Sequence, residues 1–542
     1  MTINDLETAI GFSIPLIVPA VLIIYMVAML IIGLWAAKKV KNSEDWFVGG
    51  RGMGPWITAL AHGSSSVGGG MYIAGPQFGW EGGASSLWAA PGDVFGPLLN
   101  FGIIARRMRR YTERTNALTI PDFFRHRYYS NGVKLLADIV LLVAMVISMI
   151  VEYLALGILL SCITGWSFEV SLLVGCGVVL IYTGAGGYLA VAYTDFIQSI
   201  LMVIGLAILI PVSLAGVGGF VGMNEGLYAI NPGLPTMWGE DFYLKGAPLM
   251  IAGTALVYFV GYMGQPHLVI KTVAIKDEKA IRLVPLIGGI FGFFLSFGVY
   301  MLGMVGRVAY PDISMLPGGN AEYVLPMLAL TELPPVLAGL ILACACSAIM
   351  STASALLLVV GSTAGNDLYY GYINKKASEK QVMRVTQVST YVLGLVAALM
   401  CFLPMFQIGI YEVTWIAWSV LSPAFIPMIV GGLYWKRGTK EGAYAALVVG
   451  SVVGFGWYYL LQERTQIHTF FAALVLAVAA YIIVSLLTKK PPQSVDDMVD
   501  YAKKFEDTDT SAAADYGVQM TQEQFQTLIG AARQEEPVPA MA

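Results

Sequence analysis

The 542-residue chain is 57% hydrophobic and 12% charged, with a formal net charge of −4; a soluble domain carries roughly 25% charged residues. That balance excludes an ordinary soluble protein, and apolar runs long enough to cross a bilayer of about 30 Å recur from end to end. The five cysteines (Cys162, Cys176, Cys344, Cys346 and Cys401) fall in or beside these runs without metal-ligand spacing, which argues against both a disulfide framework and a transition-metal site.

The pattern predicts an all-α integral membrane protein with about thirteen helices, near 13–37, 55–79, 85–105, 134–164, 169–186, 190–216, 248–271, 283–306, 336–366, 385–404, 411–435, 441–461 and 469–487. The first run, 14–36, is too long for the apolar core of a signal peptide and ends in charge, so it reads as a membrane helix. The second contains "HGSSSVGGG" (62–70). Gly and Ser are poor helix residues, and three glycines in a row unwind a helix rather than extend it. In lipid, each unpaired backbone group costs several kcal/mol, so such a break must face protein or line a cavity.

Further along, "RRMRRYTERTNALTIPDFFRHRY" (106–128) reads as an inner loop whose arginines set topology and meet lipid headgroups. Glu152 lies mid-helix and must be paired or face water. Asp93, in "APGDVFGP", faces either the solute cavity or a kinked backbone. The outer segments 217–247 and 307–335 carry Gly, Pro and Asn and are expected to hold short surface helices. A second interrupted span follows at "YFVGYMGQPHLVIK" (258–271), with Gly261, Gly264 and Pro266 inside the seventh helix.

With the first helix set aside, the interrupted spans are the first and sixth of ten. Inverted-repeat transporters place such pairs at the bilayer midplane to hold substrate and ion. The organisation expected is an extra N-terminal helix (13–37), a first repeat (55–216), a second repeat (248–435), two C-terminal helices (441–487) and an acidic tail (488–542). The tail is expected to be mostly disordered, with one helix near 521–532. With the N-terminus outside, the inner segments 38–51, 106–134, 271–282, 375–384, 436–440 and 489–533 hold 28 of the 31 Lys and Arg residues. The positive-inside bias therefore puts the C-terminus in the cytoplasm of a cell (plasma or inner) membrane.

A hard monovalent cation is best held by several oxygens. Carbonyls freed around Ser64 and Val67 can supply some, and "ACSAIMSTASA" (345–355) offers hydroxyls. There Ala348, Ser351 and Thr352 stand at i, i+3 and i+4, with Ser354 one step further. The same small residues equally suit close helix packing, and spacing alone leaves both readings open.

The motifs "GGRGMGPWITALAHGSSS" (49–66), "NALTIPDFFRHRY" (116–128), "GGYLAVAYTDFIQ" (186–198), "GYMGQPHLVIK" (261–271), "AIMSTASALL" (348–357) and "GGLYWKRGTKEGA" (431–443) resemble the sodium/solute symporter family over nearly the full length. Counterparts occur at matching places in proline and pantothenate symporters. The resemblance implies a 5+5 inverted-repeat core of the leucine-transporter type, Na⁺ coupling and alternating access. It maps the family's Na⁺ site to the carbonyls of Ser64, Val67 and Ala348 and the hydroxyls of Ser351 and Thr352. Asp195 matches an acidic residue on the ion's route to the cytoplasm; in some members it forms a second Na⁺ site with serines matching Ser351 and Ser354. The alternative for Asp195 is a helix cap.

Two departures concern the solute. Proline symporters carry an Asp and a Trp where this chain has Ser66 and Gly70, and a Ser where it has Gly68. Tyr262 and Pro266 match substrate-facing residues, with Tyr258 in place of a Trp and Gln265 between them. Tyr262 also corresponds to an inner aromatic gate of sugar carriers, or else simply packs. A small-residue, aromatic cavity with few polar hooks suits an amino acid such as proline or a small carboxylate such as pantothenate, its anionic group held by helix-end amides. The expectation is Na⁺-coupled uptake of such a solute by a chain that works as a monomer among lipids, with no nucleic-acid partner. His62 keeps H⁺ coupling as the alternative; otherwise it donates to a backbone carbonyl, and His267 is structural. A transport-like sensor ranks lower, since the tail leaves no room for a signalling domain. A channel would need rings of pore-lining groups, and nothing resembles an enzyme's nucleophile, base and oxyanion set.

Overall fold

The computed structural model describes residues 13–239, 242, 244–406 and 409–503. The helices are α1 (Ile17–Ala37), α2 (Pro55–Ser64), α3 (Ala74–Gly82), α4 (Ala90–Leu99), α5 (Asn131–Thr164), α6 (Phe168–Gly216) and α7 (Pro248–Phe259). They continue with α8 (Pro266–Ala274), α9 (Glu278–Ala309), α10 (Pro335–Ser362), α11 (Glu379–Met400), α12 (Ile410–Tyr434), α13 (Lys440–Leu460) and α14 (Thr469–Leu487). Shorter helices join them, and the described residues contain no strand beyond one isolated bridge between Met53 and Ile275.

Among the described residues, nine helices are individually long and apolar enough to cross a bilayer. The predicted spans 55–79, 85–105 and 248–271 are each divided into shorter pieces. The spans 169–186 and 190–216 are two helices in direct succession, carried here under the one label α6 and parted by a bend at Gly187, whose backbone is not helical (φ 52°, ψ −142°). A Cβ there would lie 2.5 Å from the Trp46 ring, so the bend requires glycine for both its backbone angle and its space.

Helix α10 is apolar all round, and its side chains from Ile341 to Ser362 are all buried, the pattern of a helix enclosed by others. It packs against α5, α6 and α1, while α9 covers α2, α3 and α4. Outer helices keep apolar side chains on the surface, such as Ile24 on α1 and Val452 on α13, as lipid contact demands. The two interrupted spans are tied at one end: Met53 N–H donates to Ala274 O (3.2 Å) and Lys276 N–H to Met53 O (3.0 Å).

The arginine-rich segment forms two helices, Arg106–Thr115 and Ile120–Arg127, and its reading as a headgroup-facing loop needs correction. Arg127 is fully buried and donates to the carbonyls of Gly432 (2.6 Å), Trp435 (2.8 Å) and Gly438 (3.2 Å). Arg107 donates to Leu433 O (2.9 Å). Both cations neutralise the carbonyl end of α12, where the helix dipole is negative. The acidic tail also begins with structure: the helix Gln493–Lys503 buries Val495, Met498, Val499 and Ala502 and packs beside Arg106–Thr115. The helix expected near 521–532 lies outside the described residues.

Replacing Arg127 by Ala strands three buried carbonyls at about 1–3 kcal/mol each. The expected result is a loss of several kcal/mol, read as a lower melting temperature in detergent, with Arg127→Lys in between. A melting temperature unchanged in Arg127→Ala would show that water replaces the guanidinium.

Candidate functional site

Helix α2 stops at Ser64, residues 65–68 are not helical, and a single turn, Gly69–Tyr72, leads on towards α3. The carbonyl of Ser64, freed by the break, accepts from Ser351 Oγ (3.0 Å) and Thr352 Oγ1 (3.3 Å) of α10. Ser351 Oγ also lies 2.9 Å from Ala348 O. Four of the five residues expected to hold Na⁺ thus meet at one buried point. Two ligands about 2.4 Å from a hard cation and about 75–90° apart are separated by roughly 2.9–3.4 Å; the oxygen spacings are of that size. Val67 is buried in the same loop, and no hydrogen bond ties its carbonyl to this cluster among the described residues.

The second interrupted span supplies a residue that sequence reading misplaced. Lys271 was counted as an inner-loop charge, but it belongs to α8 and is buried. Its ammonium donates to Ala61 O (2.5 Å), Ser65 Oγ (2.5 Å) and Asp195 Oδ2 (3.1 Å). Ser65 Oγ also donates to Asp195 (2.9 Å). Asp195 is therefore a charge partner of Lys271 and Ser65, not the cap of its own helix, and the ammonium stands one residue from the Ser64 carbonyl. Ser354 Oγ bonds back to Ser351 O (2.9 Å) on α10. The available signal was a lysine directly continuing an apolar run, where a membrane charge calls for a named partner.

Between the broken helices and α5, α10 and α12 lies a cavity of about 30 Å³, room for one or two waters. A solute therefore requires its walls to separate. Gly68, Gly70 and Tyr258 line it, with Thr352 shared from the ion cluster. So do Glu152, Thr414 and Trp418, none of which was placed there from sequence. Glu152 has its partner in the Gly69 N–H (2.7 Å).

Three expected solute contacts lie elsewhere. Gln265 Nε2 donates to Ser422 Oγ (2.8 Å), and Pro266 lines a separate small cavity with Phe47 and Leu358. Tyr262 is fully buried, its hydroxyl donating to the Asp93 carboxylate, which also accepts from Ser296 Oγ (2.7 Å). Asp93 thus serves side-chain hydroxyls rather than cavity or kinked backbone. Asn100 Nδ2 donates to Tyr262 O (3.2 Å) and meets His62 Nε2 at 3.0 Å. The imidazole accepts there, instead of donating to a backbone carbonyl.

A profile of the sodium:solute symporter family matches residues 46–450. The osmoregulated proline transporter OpuE of Bacillus subtilis is 32% identical over 475 residues, 87% of this chain and 95% of the relative. The chain belongs to the sodium:solute symporter family. The sodium/proline symporter of Escherichia coli is 30% identical, covering 86% of this chain and 92% of its own. Among solved structures, a substrate-bound, outward-open Na⁺-coupled sialic acid symporter superposes with a TM-score of 0.73 at 20% identity, over 88% of this chain and 99% of that one. The fold is thus that of the leucine-transporter type, and the relatives of this symporter are membrane transporters, not enzymes.

Opposite charges beside the candidate ion cluster make opposite predictions. Lys271→Met removes a buried positive charge and leaves Asp195 unpaired, so the Na⁺ concentration giving half-maximal thermal stabilisation should fall several-fold; Asp195→Asn should raise it. Shifts in the same direction in both variants would mean that the pair acts only through packing.

Proposed function

We propose that the chain couples the downhill entry of Na⁺ to uptake of a small organic solute by alternating access, with an amino acid of the proline type as the first solute to test. The meeting of Ser64, Ala348, Ser351 and Thr352 around one buried point carries this reading. Those oxygens offer a hard cation a partial shell that packing alone does not require. Relatives named as proline transporters support the solute class. The distribution of Lys and Arg supports an outside N-terminus and a cytoplasmic C-terminus, and one chain supplies every residue the reading uses.

The site lies at the first break, where half-helices can swing without rupturing a continuous hydrogen-bond ladder. Tyr262, clamped by Asp93 and packed 5.5 Å from the Trp418 ring, sits behind the cavity wall as an inner gate. One Na⁺ moving through 100 mV releases about 2.3 kcal/mol, and a tenfold gradient adds about 1.4 kcal/mol. One ion thus sustains roughly 500-fold accumulation of a neutral solute.

In proteoliposomes, an imposed Na⁺ gradient should drive solute uptake and a pH gradient in Na⁺-free buffer should not. Ser351→Ala combined with Thr352→Ala removes two ligands without adding bulk. At about 1–3 kcal/mol per lost interaction, the Na⁺ concentration for half-maximal uptake should rise at least fivefold. A folded double variant with unchanged Na⁺ dependence would falsify the site, and uptake driven by pH alone would move the coupling to H⁺.

A further inference from the structure

Glu152 stands on α5 with its side chain in the wall of the cavity. It is 5% exposed. One carboxylate oxygen accepts the Gly69 N–H at 2.7 Å; the other makes no hydrogen bond, and no Lys or Arg pairs with the group, among the described residues. A buried carboxylate held by one amide is costly unless an opposite charge joins it.

The backbone opposite has been kept clear for it. A Cβ on Gly68 would lie 2.4 and 2.6 Å from the two Glu152 oxygens, so any other residue there would push the carboxylate aside. Among the described residues no other Asp, Glu, Lys or Arg lines the cavity, and His267 is the other titratable side chain of its wall beside Tyr258. Its aromatic wall is made by Tyr258 and Trp418, edge to face with ring centroids 5.2 Å apart, and ring faces attract cations. Of the amides at the break, Gly69 N–H is already taken by the protein's own carboxylate. A solute carboxylate entering here would meet a like charge in a low-dielectric pocket.

We propose that Glu152 anchors a positively charged nitrogen of the solute, so that the cavity selects amines or quaternary ammonium compounds and rejects solutes whose only charge is a carboxylate. This rests on the symport reading for the cavity being the solute's, and it replaces the expectation of an anionic group bound by helix-end amides. An amino acid enters amine first, with its carboxylate directed away from Glu152.

Three ring compounds of nearly one shape separate the charges: L-prolinamide (cation), L-proline (zwitterion) and tetrahydro-2-furoate (anion). With the full chain purified in detergent, thermal stabilisation is titrated with each, and with choline, in NaCl and in KCl. In the wild type, prolinamide or choline should stabilise, and tetrahydro-2-furoate should not. Glu152→Gln should weaken the cationic probes at least tenfold while leaving stabilisation by Na⁺ alone unchanged, and Glu152→Asp should recover part of the loss. Equal stabilisation by tetrahydro-2-furoate, retention of cation binding in Glu152→Gln, or silence from every cationic probe would each overturn the anchor. If Glu152→Gln fails to fold, the wild-type ranking and Glu152→Asp still decide. Cation binding that is the same in NaCl and KCl would instead count against Na⁺ coupling and leave the anchor standing.

Discussion

Backbone amides and carbonyls inside a membrane have no water to turn to, and residues 65–68 interrupt the ladder that would otherwise satisfy them. The groups around the break are met from three directions. Hydroxyls of α10 reach Ser64 O, the ammonium of α8 reaches Ala61 O, and the carboxylate of α5 takes Gly69 N–H. Each partner brings different chemistry, and together they define a cluster of oxygens, a buried ion pair and an acidic cavity wall. The polar centre of the protein is thus a consequence of one unwound stretch. Without the break, Glu152 would lose the amide that it accepts from, and the hydroxyls of Ser351 and Thr352 the carbonyl that they share.

The two interrupted spans depend on each other for the same reason. Lys271 comes from the second and satisfies the first, while the Met53 strand-like bridge ties the start of α2 to the end of α8. At the second break, Gly264 lies against the α12 backbone, where a Cβ would approach Ser422 Cα to 2.6 Å. Ser422 Oγ in turn donates to Gly261 O at 2.9 Å. A swing of either half-helix therefore has to exchange partners with α10 or α12, not merely bend. Exchange between discrete partners is what makes a packed protein bistable rather than continuously deformable.

Much of this was legible in the residues. Helix-breaking glycines inside apolar runs marked both breaks, and i, i+3, i+4 spacing brought Ala348, Ser351 and Thr352 to one face opposite Ser64. Apolar runs of bilayer length marked where the chain crosses, because lipid imposes length. What stayed hidden was which buried charge meets which. Lys271 was taken for a loop charge because charge at the end of an apolar run usually marks the membrane edge, and only the tertiary approach of α8 to Ala61 shows otherwise. Arg127 was hidden likewise, since its acceptors lie some 300 residues away on the chain. Glu152 was recognised as needing a partner, but that partner is a backbone amide, and amides carry no sequence signature. Pro266 was placed at the cavity by its resemblance to a substrate-facing residue, with Gln265 beside it, whereas the turn after Gly264 directs them to a second pocket and to Ser422.

In the proposed symport, Thr352 links ion and solute most directly, because its hydroxyl meets Ser64 O in the oxygen cluster and its side chain lines the cavity. An ion that draws Ser64 O and Thr352 Oγ1 into its shell also fixes the loop 65–68, and that loop carries Gly68 against Glu152. Ordering the loop for one ligand removes part of the entropy cost of binding the other. The resulting coupling is reciprocal by thermodynamic necessity. Charge reinforces the order of events: Lys271 disfavours a cation at the cluster, and Asp195 and Ser65 hold that ammonium in place. The oxygen cluster, the ion pair and Glu152 all contact residues 64–69, so in the proposed symport one unwound turn is the shared element through which ion and solute sense each other.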